Sequence, residues 1–287
     1  MPSGCAKLRW MILSYILGGE NMKKNIPTQL QHAKEIIEKS IRPLIRVTAQ
    51  KRKTTLFESK FGGNPYLPVG FDHPSDAENI PMMLLAQFNF EEIPALEHFP
   101  TKGILQFYIS HKDDVYGIDF DDPTSQTNFR VVYHSDITND FNLLITDFSY
   151  MELDDDNLPF EGEYALEFKV DSEYISMADY RFEALSDGVI DLDEEVEVNG
   201  EMTDMWDLCS DFFDGMGHKI GGYPYFTQTD PREYQENVTH EILLLQIDTD
   251  DKNDIMWGDC GVANFFISKD DLEKLDFSRV LYNWDCH

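Results

Sequence analysis

The chain has 287 residues, of which 42% are hydrophobic and 13% aromatic, so it is long enough and apolar enough to bury a sizeable core. Its 54 Asp and Glu residues against 23 Lys and Arg residues give a formal net charge of −31, a sign that argues against binding to nucleic-acid backbones and to anionic membranes. The composition excludes a chain that is disordered throughout, and no apolar run reaches the roughly 18 residues of a transmembrane helix.

The first 21 residues are interpreted as a leader that does not belong to the fold. Gly18-Gly19-Glu20-Asn21 is what a ribosome-binding site would encode if it were translated in frame, and Lys23-Lys24-Asn25 after Met22 is typical of a bacterial cytosolic start. We therefore expect the folded domain at 22–287 and a cytoplasmic location. A signal peptide or lipoprotein-like leader built on the apolar run 8–17 is the alternative. The absence of a CxxC pair agrees with a reducing compartment.

The following elements are predicted in chain order. Residues 28–41 place Leu30, Ala33, Ile37 and Ile41 on one helical face, and Pro43 ends that helix. A strand follows at 44–48. Further strands are predicted at 129–134, 141–145 and 164–170, and helices at 172–184 and 204–213.

Three sequence blocks occur twice in the same order. The offset is 159 residues for the first two blocks and 158 for the third, and the pairs are 60–66 with 219–225, 84–88 with 243–247, and 103–110 with 261–268. Ordered blocks with one residue of drift predict two related halves, about 44–135 and 200–287, that pack as one body. The predicted fold class is α+β, mostly antiparallel strands with a few helices.

Each half contains a Gly-Gly pair that is predicted to form a structural turn. Gly62 and Gly63 precede Pro65-Tyr66, and Gly221 and Gly222 precede Pro224-Tyr225. Glycine permits positive φ or a close backbone approach, and the residue before proline favours extended backbone.

Four segments also resemble the motifs of a bacterial family, the YwqG-like family, which is a domain of unknown function. They are SKFGGNPYLP at 59–68, PMMLLAQFN at 81–89, GILQF at 103–107 and IMWGDCGVANFFI at 255–267. The resemblance covers about 28–285, and Cys260 departs from the serine usual at that position. It implies a soluble, cytosolic protein and transfers no catalytic residue.

The segment 136–199 between the halves is strongly acidic. Residues 136–216 hold 25 carboxylates against only Lys169 and Arg181. A solvated face that keeps the protein soluble is one interpretation. The other is a docking surface for a basic partner or a cation, with Asp191, Asp193, Glu194 and Glu195 as candidate contact residues.

Two further candidate sites lie in or between the halves. Tyr66, Tyr225, Trp257 and Asp259 would suit a ligand groove if the halves brought them together, although aromatic residues retained in a repeat also suit a core. Asp248, Asp250 and Asp254 form an oxygen-rich stretch that indicates either a weak Ca²⁺ site or an acidic turn, because the glycine and glutamate positions of an EF-hand are not matched. No cofactor is predicted.

The catalytic motifs tested are not matched. His240-Glu241 lacks the second histidine of a zinc-protease motif, because position 244 is Leu, and there is no nucleophile elbow, Walker loop or kinase motif. The leading hypothesis is therefore a non-enzymatic protein that binds a basic macromolecular partner, in the manner of an immunity protein or inhibitor. The alternatives are a small-ligand-binding protein or enzyme with a pocket between the halves, and a weak calcium-binding protein.

Overall fold

A computed structural model describes residues 24–151, 158–233 and 239–287, so the predicted leader at 1–21 lies outside the described residues. The fold is mostly antiparallel β-structure with few helices, which confirms the predicted class. The described strands are β1 (Arg42–Lys51), β2 (Lys60–Gly62), β3 (Met83–Asn89), β4 (Ile104–Ile109), β5 (Phe129–His134), β6 (Glu163–Glu173), β7 (Glu195–Val198), β8 (Glu201–Asp204), β9 (Lys219–Gly221), β10 (Ile242–Asp248), β11 (Val262–Ile267) and β12 (Leu281–Asp285). The described α-helices are α1 (Lys34–Lys39), α2 (Phe182–Ser186), α3 (Met205–Phe212) and α4 (Lys269–Lys274), with 3-10 helices at Thr28–Ala33 and Phe141–Leu143.

Two of the predicted elements are wrong. The predicted strand 141–145 begins instead as a 3-10 helix, because the Asp140 side chain accepts a hydrogen bond from the backbone N–H of Asn142 and starts a helical turn. The predicted helix 172–184 is also absent, because β6 continues to Glu173 in register with β1 and a helix begins only at Phe182. The strand at 129–134 and the helix near 204–213 are confirmed.

Ten strands form one curled sheet in the order β12-β11-β10-β9-β1-β6-β2-β3-β4-β5, and all of the described pairings are antiparallel. The two longest strands, β1 and β6, pair at the centre from Arg42 opposite Glu173 to Lys51 opposite Tyr164. β6 lies within the predicted intervening segment 136–199, so that segment supplies a central strand. β1 also pairs with β9, which joins the N-terminal half of the chain to the C-terminal half.

The curl of the sheet encloses one core that both halves share. The rings of Phe107 and Phe265 are 4.8 Å apart, and those of Phe129 and Tyr282 are 5.2 Å apart, so strands from opposite ends of the sheet are in contact. All four rings are buried, and burial of each stabilises the fold by about 1.5–3 kcal/mol.

A second apolar cluster lies beside the sheet and contains the helices α1, α2 and α3. It joins Leu30 and Ile37 to Phe182, Cys209 and Phe213. The hairpin β7–β8 lies against this cluster through Val196, and its two-residue turn is Asn199-Gly200, both with positive φ, as such hairpins require. Within the described ranges, no helix has both the length and the apolar character needed to span a membrane.

Candidate functional site

The two Gly-Gly turns have left-handed backbone at all four positions, with φ between 65° and 74°. Their shape leaves no room for side chains: a Cβ on Gly62 would collide with the backbone oxygen of Gly162, and one on Gly222 with the carboxylate of Glu173. The turns therefore require glycine for both conformation and space.

A buried glutamine fixes the segment after each turn. The Gln87 side-chain oxygen accepts a hydrogen bond from the Tyr66 N–H at 2.8 Å, and the Gln246 oxygen accepts one from the Tyr225 N–H at 2.8 Å. The nitrogen of each side chain donates to two backbone carbonyls, those of residues 56 and 58 for Gln87 and those of residues 215 and 217 for Gln246. Because these two buried side chains satisfy backbone groups, the contacts are structural.

A buried lysine precedes each turn. The Lys219 ammonium pairs with Glu173 at 2.8 Å, and that of Lys60 donates to the carbonyls of Thr55 and Asn64. Burial lowers the pKa of Lys60 to about 8, against the opposing charge of Glu163, and burial also lowers the pKa of Lys219. Both ammonium groups are enclosed by their partners, so neither is presented to a ligand.

The predicted groove of Tyr66, Tyr225, Trp257 and Asp259 is not formed. Tyr66 is fully buried and its ring contacts those of Phe57 and His134, whereas Trp257 is fully buried against the rings of Tyr116 and Trp284. Tyr225 is half-buried on the second half and Asp259 is exposed. The prediction fails because two of its four residues are core residues, and they contact different rings.

The carboxylates proposed for calcium are engaged by the protein itself. Asp248 accepts hydrogen bonds from the backbone of Gly217 and Thr249, both at 2.8 Å, and Asp250 accepts one from the Asn253 side chain at 2.6 Å. Burial acts to raise the pKa of Asp250, but the His218 ring, whose Nε2 atom lies 3.6 Å away, and the hydrogen bond from Asn253 outweigh it and hold the pKa at about 2. Across the described residues, no group of three or more His, Cys, Asp or Glu side chains, with or without Asp254, is arranged to hold a metal ion.

One groove near the centre of the molecule has charged walls but little space. It has a volume of about 180 Å³ and lies between the ends of β1 and β6 and the helical cluster, with Arg46, Asp171, Glu173 and Phe213 among its lining residues. Its charges are paired with one another, since Arg46 contacts Asp171 at 3.4 Å and Glu173 at 3.0 Å. The groove is smaller than the roughly 300 Å³ of a drug-sized pocket.

The sequence did not predict a buried ion network beside this cluster. The guanidinium of Arg232 is fully buried and contacts Asp230 at 2.6 Å and Asp179 at 3.1 Å. It also lies 4.1 Å from the centre of the Phe266 ring. Burial acts to raise the pKa of Asp179, but the hydrogen bond from Arg181 and the charge of Arg232 outweigh it, and the pKa is lowered. This network joins the segment after β6 to the segment before β10.

The acidic candidates lie at an exposed surface. Asp191, Asp193, Glu194 and Glu195 are all exposed, just before and at the start of the β7–β8 hairpin. Two large apolar side chains are exposed in the same region: Met202 on β8 is 63% exposed and Trp206 on α3 is 53% exposed. We call residues 182–214, which contain this hairpin and α3, the acidic module.

Comparison with known protein families assigns the chain to one of them. The model of a family described as Domain of unknown function (DUF1963) matches residues 59–286. The chain belongs to this family. No curated protein matches it.

The DUF1963 match includes both Gly-Gly turns, both buried glutamines and the whole acidic module. It begins after β1, although β1 is one of the two central strands of the sheet. The matched region therefore contains every strand of the ten-stranded sheet except β1. The family description assigns no reaction to the protein.

Proposed function

We propose that this domain is a non-enzymatic binding protein, and that its acidic module binds a basic macromolecular partner. The observation that carries the proposal is the exposed Trp206 and Met202 within a surface of unpaired carboxylates. Residues 182–218 contain no Lys or Arg, and eleven acidic side chains of this stretch are exposed: Glu183, Asp187, Asp191, Asp193, Glu194, Glu195, Glu197, Glu201, Asp204, Asp207 and Asp211. None of the eleven takes part in an ion pair with another described residue.

Two physical effects favour such a partner. Exposed like charges repel one another, and a cationic surface relieves that repulsion and accelerates encounter. Trp206 supplies an apolar contact of the kind that concentrates binding energy at interfaces. An immunity-like or inhibitor-like role follows naturally from this arrangement, because carboxylates on such a surface occupy the place of nucleic-acid phosphates on a basic toxin or nuclease.

Salt-stepped capture tests the proposal. The immobilised protein is exposed to cytosol of the source cell at about 0.05 M salt, and bound proteins are eluted at about 0.2 M, where the Debye length falls below about 8 Å. We expect a basic protein to be retained at low salt and released at high salt. The variant D191N/D193N/E194Q/E195Q should retain much less of it while keeping the wild-type melting temperature, since all four side chains are exposed.

A second fourfold variant is the matched control. D114N/D121N/D251N/D270N removes the same amount of charge from exposed positions outside the acidic module. It should capture the partner nearly as well as the wild type. Equal losses in the two variants would mean that only net charge matters, and retention that ignores salt would contradict electrostatic docking.

We further infer that the two halves are copies of one structural unit and that the chain is a cytoplasmic bacterial protein of the YwqG-like group. The support for two copies is the paired environment of the halves. Lys60 lies opposite Gln87 as Lys219 lies opposite Gln246, and β3 and β10 each carry an irregularity, at residues 84–86 and 243–245. The Gln106 and Asn264 side chains donate to the carbonyls of Tyr66 and Tyr225, respectively.

A further inference from the structure

Three exposed aromatic side chains lie outside the acidic module, one in the first half and two in the intervening segment 136–199. Phe71 is 56% exposed, Phe141 59% and Tyr150 45%, and we call these three residues the aromatic surface. They come from two loops that are joined by backbone hydrogen bonds, from the Val69 N–H to the Leu143 oxygen and from the Ile145 N–H to the Leu67 oxygen, both at 2.8 Å.

Packed rings lie behind the aromatic surface in two separate groups. Phe141 contacts Phe57, which contacts Tyr66, and Tyr66 contacts His134, which lies 5.3 Å from Phe71. His73 lies beside Tyr150, with its Nδ1 atom 2.9 Å from the tyrosine hydroxyl. The exposed rings are therefore held in place by packed neighbours. Exposed aromatic rings that are held by packed neighbours suit contact with a partner.

The segments that carry these three rings contain acidic residues but no Lys or Arg. Residues 61–101 and 131–151 contain no Lys or Arg. Asp72 and Asp140 are adjacent in sequence to Phe71 and Phe141, and Asp136 and Asp147 lie in the same loops, all four exposed. A nucleic acid, an anionic membrane or a second copy of this chain would place like charges against this rim. A cationic partner would instead place opposite charges against these carboxylates.

Among the described residues, the cations that lie closest over aromatic rings are arginines, whereas the Lys51 ammonium lies 5.6 Å from the centre of the Tyr164 ring. The guanidinium of Arg232 lies 4.1 Å from the centre of Phe266 and pairs with Asp179 and Asp230. Arg42 and Arg181 likewise lie over the ring of Tyr223, at 4.6 Å and 5.2 Å. Arginine stacks on aromatic faces while its N–H groups reach carboxylates, a combination that the compact, strongly hydrated ammonium of lysine does not match.

We propose that the aromatic surface binds arginine side chains of the basic partner. The surface would then select partners by their arginine content and not by positive charge alone. The proposal rests on the proposed function and adds a second contact region to it. Guanidinium groups would stack on Phe71, Phe141 and Tyr150, and the neighbouring aspartates would accept their hydrogen bonds.

Two fluorescent peptides of equal length and charge test the selection. One alternates Arg and Ser over nine residues and the other alternates Lys and Ser, and their affinities are measured by fluorescence anisotropy at one fixed low salt concentration. We expect the arginine peptide to bind the full chain about three- to tenfold more tightly, from stacking at exposed rings. The variant F71A/F141A/Y150A should lose this preference while its affinity for the lysine peptide changes by less than about twofold.

The control is Phe120→Ala. Phe120 is 74% exposed and lies between Asp119 and Asp121, but it belongs to neither loop of the aromatic surface, so its removal should leave the preference unchanged. The variant F71L/F141L/Y150L keeps apolar bulk without π faces, and it should also lose the preference. This second variant decides the question if the alanine variant does not fold.

The outcomes separate this inference from the proposed function. Equal affinity of the wild type for both peptides, or a preference that survives the leucine substitutions, overturns arginine selection while binding at the acidic module stands. Failure of both peptides to bind overturns both proposals. A wild-type dimer that dissociates when the rings are replaced would identify the surface as a contact between copies, and would overturn the proposal in that way.

Discussion

In each half of this molecule, one buried glutamine, Gln87 or Gln246, holds neighbouring backbone segments together through hydrogen bonds. Each is fully buried and satisfies one backbone N–H and two backbone carbonyls. Leaving a buried polar group unsatisfied costs about 1–3 kcal/mol. Gln87→Leu and Gln246→Leu should therefore each lower the free energy of unfolding by about 3–5 kcal/mol, measured by urea denaturation.

The control for this prediction is Gln50→Leu on the central strand β1, where the side chain is exposed and the expected change is within about 0.5 kcal/mol. Similar losses at Gln87 and Gln246 are what two copies of one structural unit require. A large loss at one position and none at the other would contradict that inference.

His134 makes the stability of the protein depend on pH. Burial lowers the pKa of His134 to about 4 from its ordinary value of 6.5, because the ring is only 6% exposed and packs against Tyr66 and Phe71, where a positive charge is poorly solvated. Between these two pKa values the unfolded state binds more protons than the folded state, so stability falls as the pH is lowered through this range.

His134→Gln tests this dependence. The wild type should lose about 1–2 kcal/mol more than the variant between pH 7 and pH 5, in denaturation measured at both pH values. Parallel losses in the two proteins would show that another group is responsible.

At the scale of elements, the buried network of Arg232, Asp179 and Asp230 fastens two connections to the second half of the sheet. Removing one partner of a buried ion pair leaves an uncompensated charge and costs about 3–5 kcal/mol. We expect Arg232→Met to lower the unfolding free energy by that amount. Arg279→Met is the matched control, because Arg279 pairs with Asp271 at a comparable 2.8 Å but is largely exposed, and exposed pairs contribute less than about 1 kcal/mol. Equal losses of unfolding free energy in the two variants would contradict the claim that the buried Arg232 network stabilises the fold.

The acidic module shows what the sequence predicts and what it does not. The helix near 204–213 follows from the spacing of Met205, Cys209 and Phe212, and the structure places that face in the helical cluster. The hairpin β7–β8 was not predicted, although Val196 and Val198 alternate with acidic residues before Asn199-Gly200, a pair typical of two-residue hairpin turns. The Arg232 network has no local signal, because Asp179 is distant in sequence.

At the scale of the whole molecule, the antiparallel class follows from short apolar strands bounded by glycine and charge, and the turns follow from their glycines. Which aromatic residues are buried and which are exposed does not follow from the sequence. Sequence reasoning placed Tyr66 and Trp257 at a groove, and the structure buries both. The exposed rings Phe71, Phe141 and Tyr150 were not singled out, because their exposure depends on how two distant loops meet.

The closing of the sheet also depends on long-range contacts. β1 pairs with β6 and β9, strands that follow it by more than a hundred residues, and the ends of the sheet meet through Phe129 and Tyr282. Periodicity indicates that a segment is a strand but not which strand it pairs with. The central position of β6 within an acidic segment is the clearest example of such a pairing.

The central claim is that a particular acidic module, and not net charge alone, binds a basic partner. The most direct measurement is the Kd of the recovered partner for three proteins at one low salt concentration: the wild type, D191N/D193N/E194Q/E195Q and D114N/D121N/D251N/D270N. We expect the first variant to bind the partner about tenfold or more weakly, from four lost contacts of a few tenths of a kcal/mol each, and the second to stay within about threefold of the wild type. Equal affinities of the two variants would contradict it.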